Sequence, residues 1–137
     1  MKLCSACLLG EKCRFDGESK PVEKVLELAQ KETLIPVCPE QLGGLPTPRT
    51  ASEQVNDKVM TIDGRDVTNE YNKGAEAKLK IARDNNIDNA ILKQRSPSCG
   101  CGQIYDGTFS GKIIDGNGTT TKLLKKNGIK VISEEDL

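Results

Sequence analysis

The sequence predicts an α/β fold built on a mostly parallel sheet of roughly four strands with helices on its faces. Short apolar runs alternate with amphipathic helical patterns along the chain, and this alternation is typical of parallel sheets with right-handed crossovers. No internal repeat or low-complexity tract interrupts it. We therefore expect a three-layer arrangement, with a small β-hairpin in addition.

Four short apolar runs are predicted to form the strands of the sheet. Most are bounded by glycine, proline or charged residues, as buried strands commonly are. The runs are Lys2–Ala6, Leu34–Val37, Asn89–Leu92 and Ile129–Ile132. Pro36 cannot donate a hydrogen bond to a strand ladder, which restricts where the second run can pair.

The first helix is predicted to begin near Ser19 and Pro21. Serine is a favoured N-cap, and proline in the first turn loses no hydrogen bond. An apolar stripe at helical spacing follows, and its members are Val22, Val25, Leu26 and Ala29. One face of this helix should therefore pack on the sheet.

Two further helices are predicted. Thr68 caps a long helix that runs to about Asn85, with one apolar face formed by Tyr71, Ala75, Leu79 and Ala82. The last helix covers Thr119 to Lys126 and ends at the glycine cap Gly128.

The remaining segments read as hairpins and loops. Asp63-Gly64 is a favoured type I′ turn pair, so Lys58–Ile62 and Arg65–Val67 are predicted to form a hairpin around it. Gly43–Arg49 reads as an ordered loop, and residues 103–118 read as a loop containing a second short hairpin.

The composition indicates one domain over residues 1–137 and disfavours several classes of protein. Hydrophobic residues make up 36% and charged residues 29% of the chain, which argues against disordered and membrane-spanning chains. Lysine plus arginine and aspartate plus glutamate number 20 each, so no net charge attracts nucleic acid or an anionic membrane. We expect a cytoplasmic protein that binds neither. The oligomeric state stays open, a dimer included.

Histidine is absent from the chain, as is tryptophan. The first absence removes the usual neutral-pH proton shuttle and every metal site that needs an imidazole ligand. A general base in this protein must therefore be a carboxylate, a lysine, a tyrosine or a thiolate.

Three of the six cysteines follow predicted strands. Cys7 comes just after the first strand, Cys38 just after the second, and Cys99 in the loop after the third. The carboxyl ends of parallel strands share one sheet edge, where open α/β folds bind ligands. We therefore expect these three thiols to converge on a metal or cluster site.

Other interpretations of the cysteines remain open at this point. They can be small buried hydrophobic residues or a redox dithiol. Cys4 and Cys7 have the spacing of a redox pair, but Cys4 lies inside the predicted strand, unlike a redox pair at the start of a helix. Thiolates without histidine fit structural zinc and iron–sulfur clusters equally. Either Cys99 or Cys101 can be the ligand of its pair, and Cys13 lies near enough to be a fourth thiol.

Two polar residues flank the predicted thiol site. Glu40 lies two residues after Cys38, and Ser96 lies three before Cys99. A structural zinc site needs neither of them, although each can equally be an ordinary loop residue. The basic residues that could balance thiolate charge are Arg14, Arg49, Lys93 and Arg95.

These same segments carry a family resemblance that extends over essentially the whole chain. The motifs, in chain order, are Ser5-Ala6-Cys7-Leu8-Leu9-Gly10, Cys13-Arg14-Phe15-Asp16-Gly17, Val37-Cys38-Pro39-Glu40, Gly43-Gly44-Leu45-Pro46-Thr47-Pro48-Arg49, Ser96-Pro97-Ser98-Cys99-Gly100 and Tyr105-Asp106-Gly107-Thr108-Phe109. With them the sequence resembles the thiouracil desulfidase family.

The resemblance implies a [4Fe–4S] cluster held by Cys7, Cys38 and Cys99, with one iron free of protein ligands. It also implies catalytic roles for Glu40 and Ser96 and a small thiolated substrate such as 2-thiouracil, whose sulfur leaves as sulfide. An open iron is a soft Lewis acid that would polarise a C=S bond. Glu40 would then activate water and Ser96 would relay a proton, without redox change.

Two competing functions remain. One is a zinc or iron–sulfur module without catalysis, such as a sulfide carrier. The other is a flavodoxin-like nucleotide-binding module, which is disfavoured because no glycine-rich phosphate loop follows the first strand.

Overall fold

The computed structural model describes residues 1–137 and contains eight strands and four α-helices. The strands are β1 (Lys2–Ser5), β2 (Leu34–Val37), β3 (Ser52–Val55), β4 (Lys58–Thr61), β5 (Asn89–Leu92), β6 (Cys101–Tyr105), β7 (Ile113–Asn117) and β8 (Lys130–Ser133). The helices are α1 (Glu23–Lys31), α2 (Pro39–Leu42), α3 (Thr68–Asp84) and α4 (Thr119–Lys126). Two short 3₁₀ helices, Ala6–Leu9 and Glu134–Asp136, follow β1 and β8.

The central sheet has four strands in the order β2-β1-β5-β8. All three pairings are parallel, which confirms the predicted fold class. β2 lies at an edge, where Pro36 pairs beside Cys4 without interrupting a central ladder. The four strands predicted from the sequence are the four strands of this sheet.

The two faces of the sheet bury separate apolar clusters, because successive side chains of a strand point to opposite faces. Leu3 and Leu92 pack in one cluster with residues of α3 and α4. Cys4 and Ile91 pack in the other with Val25 of α1. The helices therefore cover both faces, as a three-layer arrangement requires.

The prediction for α1 is wrong at its start and in part of its apolar stripe. The helix begins at Glu23, after an extended Val22 that has no side-chain cap. Leu26 and Ala29 are exposed, whereas Leu28 packs on the cluster around Val25. The buried face is narrower than predicted because Val25 is the one residue of this helix that is fully buried.

The long helix α3 buries its predicted face, including Tyr71 and Leu79. Its capping differs from the prediction, because Asp66 Oδ1 accepts the backbone N–H of Thr68 at 2.9 Å. The Thr68 hydroxyl oxygen instead accepts the N–H of Val59. None of the helices is both long and apolar enough to cross a membrane.

The hairpin predicted around Asp63-Gly64 does not form, because its two predicted strands do not pair as a ladder. Residues 65–67, expected to pair with Lys58–Ile62, form one isolated bridge, between Met60 and Asp66. The chain then leaves the sheet because Asp66 accepts the N–H that begins α3.

The strand that pairs fully with β4 is β3, which precedes it in the chain. The two-residue turn between them places Asn56 at φ +57°, a conformation that asparagine tolerates better than most residues. β3 is not predicted from the sequence because its residues are mostly polar, and strands are predicted from apolar runs. The second predicted hairpin is confirmed, because β6 and β7 pair antiparallel.

Two glycines let α2 and α3 touch at their backbones. A Cβ atom on Gly74 would lie 1.9 Å from the carbonyl oxygen of Pro39, and one on Gly43 would lie 2.0 Å from that of Glu70. Neither position has space for a methyl group. This contact fixes the position of α2 and of Cys38 at its N-cap.

We expect Gly74→Ala to lower the free energy of unfolding by about 1–3 kcal/mol, because the two helices would have to separate. Urea unfolding measures the change. The matched control is Lys73→Ala at the neighbouring exposed position, where we expect a change within about 0.5 kcal/mol. A Gly74→Ala protein as stable as wild type would contradict the close contact.

Candidate active site

The carboxyl ends of β1, β2 and β5 open into a cavity of about 340 Å³. Four thiols line it, those of Cys7, Cys13, Cys38 and Cys99. The cavity therefore lies at the sheet edge at which the sequence predicts a site.

Each thiol is placed by the turn that follows its strand. Cys7 lies in the 3₁₀ helix directly after β1, and Cys38 is the N-cap residue of α2 directly after β2. After β5 the loop turns through Ser96, whose Oγ accepts the backbone N–H groups of Ser98 and Cys99, both at 3.1 Å. Ser96 thus fixes the turn that carries the third thiol.

Cys13 sits between two of these thiols and changes their acidity. Hydrogen bonding from the Cys13 thiol lowers the pKa of Cys7 and lowers that of Cys38 to about 7, with burial opposing both changes. The pKa of Cys13 itself is raised, first by its hydrogen bond to Cys38 and then by that to Cys7. The pKa of Cys38 therefore lies near neutral pH, where its thiolate, the form that binds metals, is accessible.

The structure distinguishes Cys99 from Cys101. Cys99 lines the cavity and is so buried that desolvation raises its pKa to about 11. Cys101 does not line the cavity, and its Sγ lies 3.4 Å from the carbonyl oxygen of Val131. Cys4 is also outside, with its thiol directed to the carbonyl of Ser5 and its pKa raised by burial to about 12.

Glu40 lines the cavity beside Cys38 and forms an ion pair with Arg49. The distance between Arg49 Nη2 and Glu40 Oε2 is 2.6 Å, and the side chains are only 6% and 13% exposed. Arg49 Nη2 also donates to the carbonyl oxygen of Cys13 at 3.1 Å. The same guanidinium thus holds the carboxylate and the loop that carries Cys13.

Three other predicted basic residues line the cavity, and each has a carboxylate partner. Lys93 lies 3.3 Å from Glu134, Arg95 pairs with Glu135, and Arg14 lies 3.8 Å from Asp16. All five predicted site residues line the same cavity: Cys7, Cys38, Glu40, Ser96 and Cys99.

Two residues near the site are not predicted from the sequence as site residues. Tyr71 on α3 lines the cavity, and burial raises the pKa of its hydroxyl. Lys78, two turns later, is fully buried, and its Nζ has no hydrogen-bond partner. A lysine within the apolar stripe of a helix is the signal that could have identified it.

The donor set suits an iron–sulfur cluster. Soft thiolates without imidazole are the usual protein ligands of such clusters. Here the thiols line the wall of a cavity. No group of three or more Cys, Asp or Glu side chains is arranged to hold a single metal ion. A buried cation without a partner, Lys78, lies on the helix beside this site.

We expect Arg49→Met to lower the free energy of unfolding by about 3 kcal/mol, because it leaves a nearly buried carboxylate unpaired. Chemical denaturation of the cluster-free protein measures this. Lys80→Met is the control, because Lys80 forms an exposed ion pair with Asp84, and its loss should change stability much less. Equal effects of the two substitutions would contradict the role assigned to the Glu40–Arg49 pair.

Comparisons with known proteins agree with this arrangement. A family model described as 2-thiouracil desulfurase matches residues 3–136. The Bacillus subtilis (strain 168) protein YbbK, described as uncharacterized, is 44% identical over 147 residues, which cover 100% of this chain and 97% of that protein. A solved structure of the [4Fe-4S]-dependent thiouracil desulfidase TudS is 44% identical with a TM-score of 0.95, over 99% of this chain and 91% of that one. The chain belongs to the 2-thiouracil desulfurase family.

Proposed function

We propose that this protein is a [4Fe–4S]-dependent desulfidase that removes sulfur from a thiolated pyrimidine of the 2-thiouracil type. The observation that carries the proposal is the convergence of Cys7, Cys38 and Cys99 on one cavity that also contains a paired carboxylate. Family membership and the 44% identity to a [4Fe-4S]-dependent thiouracil desulfidase support it.

Cys7, Cys38 and Cys99 are the proposed cluster ligands. They come from three different turns and line one cavity, whereas Cys4 and Cys101 are directed into the protein interior. A cluster held by three thiolates supplies an iron without a protein ligand, which acts as a soft Lewis acid toward a thiocarbonyl sulfur. In this assignment Cys13 lines the cavity beside the ligands and is not itself a ligand.

Glu40 is the proposed general base. Its Oε2 is held by Arg49, which fixes the orientation of the carboxylate, and its Oε1 has no partner within the protein. That oxygen is therefore available to accept a proton from a water molecule in the cavity. With histidine absent from the chain, a carboxylate suits this role.

Ser96 is the proposed proton relay. Its oxygen accepts two backbone N–H groups, so its own hydroxyl hydrogen remains available to donate toward the cavity. These two bonds also polarise the hydroxyl and fix the position of its oxygen. The overall reaction replaces C=S by C=O, consumes one water and releases hydrogen sulfide, so no electron enters or leaves.

The proposal also covers the setting of the reaction. All six cysteines are free thiols, which suits the reducing environment of the cytoplasm. We assign the activity to residues 1–137 as one functional unit, with the thiolated pyrimidine and sulfide as its small-molecule partners.

We expect anaerobically reconstituted wild type to contain about four iron and four acid-labile sulfide per chain. Cys7→Ala, Cys38→Ala and Cys99→Ala should each lose this content, because each removes a ligand. Cys101→Ala, at the neighbouring interior thiol, is the matched control and should retain the cluster, as should Cys13→Ala. Loss of iron in Cys13→Ala but not in Cys99→Ala would overturn the ligand assignment.

Glu40→Gln should retain the cluster, whereas Ser96→Ala should load less iron because the turn that carries Cys99 loses two hydrogen bonds. We expect both variants, per loaded cluster, to release sulfide from 2-thiouracil at least about a hundredfold more slowly than wild type. That is the usual cost of losing a general acid–base group. Anaerobic sulfide assays with matched iron content provide the measurement. If cluster-loaded wild-type protein releases no sulfide from 2-thiouracil or 4-thiouracil, a non-catalytic sulfide carrier becomes the better hypothesis.

A further inference from the structure

Lys78 is a fully buried cation without a partner. It lies on the buried face of α3, between Gly74 and Ala82, and its side chain is 0% exposed. Its Nζ is the one buried side-chain nitrogen or oxygen of the protein that has no hydrogen-bond partner.

An unpaired ammonium in an apolar interior is costly. Nearly all buried polar groups in proteins have a partner, and a buried charge without one is strongly destabilising. A leucine or methionine would fill the same space in α3 without this cost. The lysine therefore indicates a partner that the polypeptide itself does not contain.

The position of Lys78 identifies the region where that partner lies. The next residue, Leu79, shares an apolar cluster with Cys99, and Tyr71, two turns earlier, lines the cavity. Lys78 does not line the cavity itself. Gly74, one turn before Lys78, packs against the backbone of Pro39, the residue after Cys38. The buried face of α3 that carries Lys78 thus packs against the segments that carry Cys38 and Cys99.

The other cations near the cavity already have partners. Arg49 pairs with Glu40, Lys93 with Glu134, and Arg95 with Glu135. None of them is free to balance the negative charge that three ligand thiolates would introduce into a buried site. Lys78 is the fully buried cation that has no partner.

We propose that Lys78 is the buried countercharge of the cluster-binding site and that it governs how tightly the cluster is held and how easily it is reduced. This inference rests on the cluster of the proposed function, but not on the desulfuration reaction. Lys78 acts through the charge of the site and contacts no substrate, so it is a positioning residue.

The test compares Lys78→Met, which removes the charge at similar volume, with Lys78→Arg, which retains it, and with Lys73→Met at an exposed position of α3. Three quantities are measured: denaturant unfolding of the cluster-free protein, the rate of iron loss to a chelator, and the reduction potential of the loaded protein. All loading is anaerobic.

We expect cluster-free Lys78→Met to be at least as stable as wild type, because an unpaired buried charge is removed. The loaded variant should lose iron faster, on the order of tenfold, because the site loses a positive charge that stabilises the bound anionic group. Its reduction potential should be more negative, because a nearby positive charge favours the added electron. Lys78→Arg should restore both properties at least in part, and Lys73→Met should match wild type.

Two results would overturn the inference. One is a Lys78→Met protein that retains iron and has the reduction potential of wild type. The other is a cluster-free Lys78→Met protein that is less stable than wild type or does not fold, because Lys78 would then serve the apoprotein. If the wild-type protein takes up no cluster, the proposed function itself is refuted. That outcome is distinguishable from the other two because it is observed before any variant is compared.

Discussion

The parallel pairing of β1 with both β2 and β5 is the constraint on which the site depends. Because the three strands run in one direction, the turns after them must open at the same edge of the sheet. Cys7, Cys38 and Cys99 lie in those turns and are separated by about thirty and sixty residues in the sequence. If any one of the strands were antiparallel, its thiol would lie at the opposite edge.

Around this edge, the structure combines buried thiols with a limited set of cations. Arg49 holds Glu40 and the loop of Cys13 through one guanidinium, so the carboxylate and a thiol-bearing segment are positioned together. Lys78 differs because it does not line the cavity and has no partner. A protein interior that holds an unpaired cation near a thiol-lined cavity is suited to a bound group that is itself negatively charged.

The close contact of α2 with α3 links the fold to the chemistry. Gly43 and Gly74 remove the two Cβ atoms that would separate the helices, and α2 carries Cys38 at its start and Glu40 in its first turn. The helix that contributes Tyr71 and Lys78 is thereby held against the helix that contributes a thiol and a carboxylate. Rigid packing at this point sets distances that a flexible loop could not maintain.

The sequence by itself determined the parallel α/β fold, its four strands and the sheet edge at which the site lies, because apolar periodicity and strand-end positions depend on local pattern. It misplaced the start of α1 and the partner of β4, where polar residues form regular structure through tertiary contacts. Only the tertiary structure decided that Cys99 and not Cys101 faces the cavity. It alone also decided that Lys78 has no partner. Burial and charge pairing depend on residues that are distant in the chain, and no local pattern encodes them.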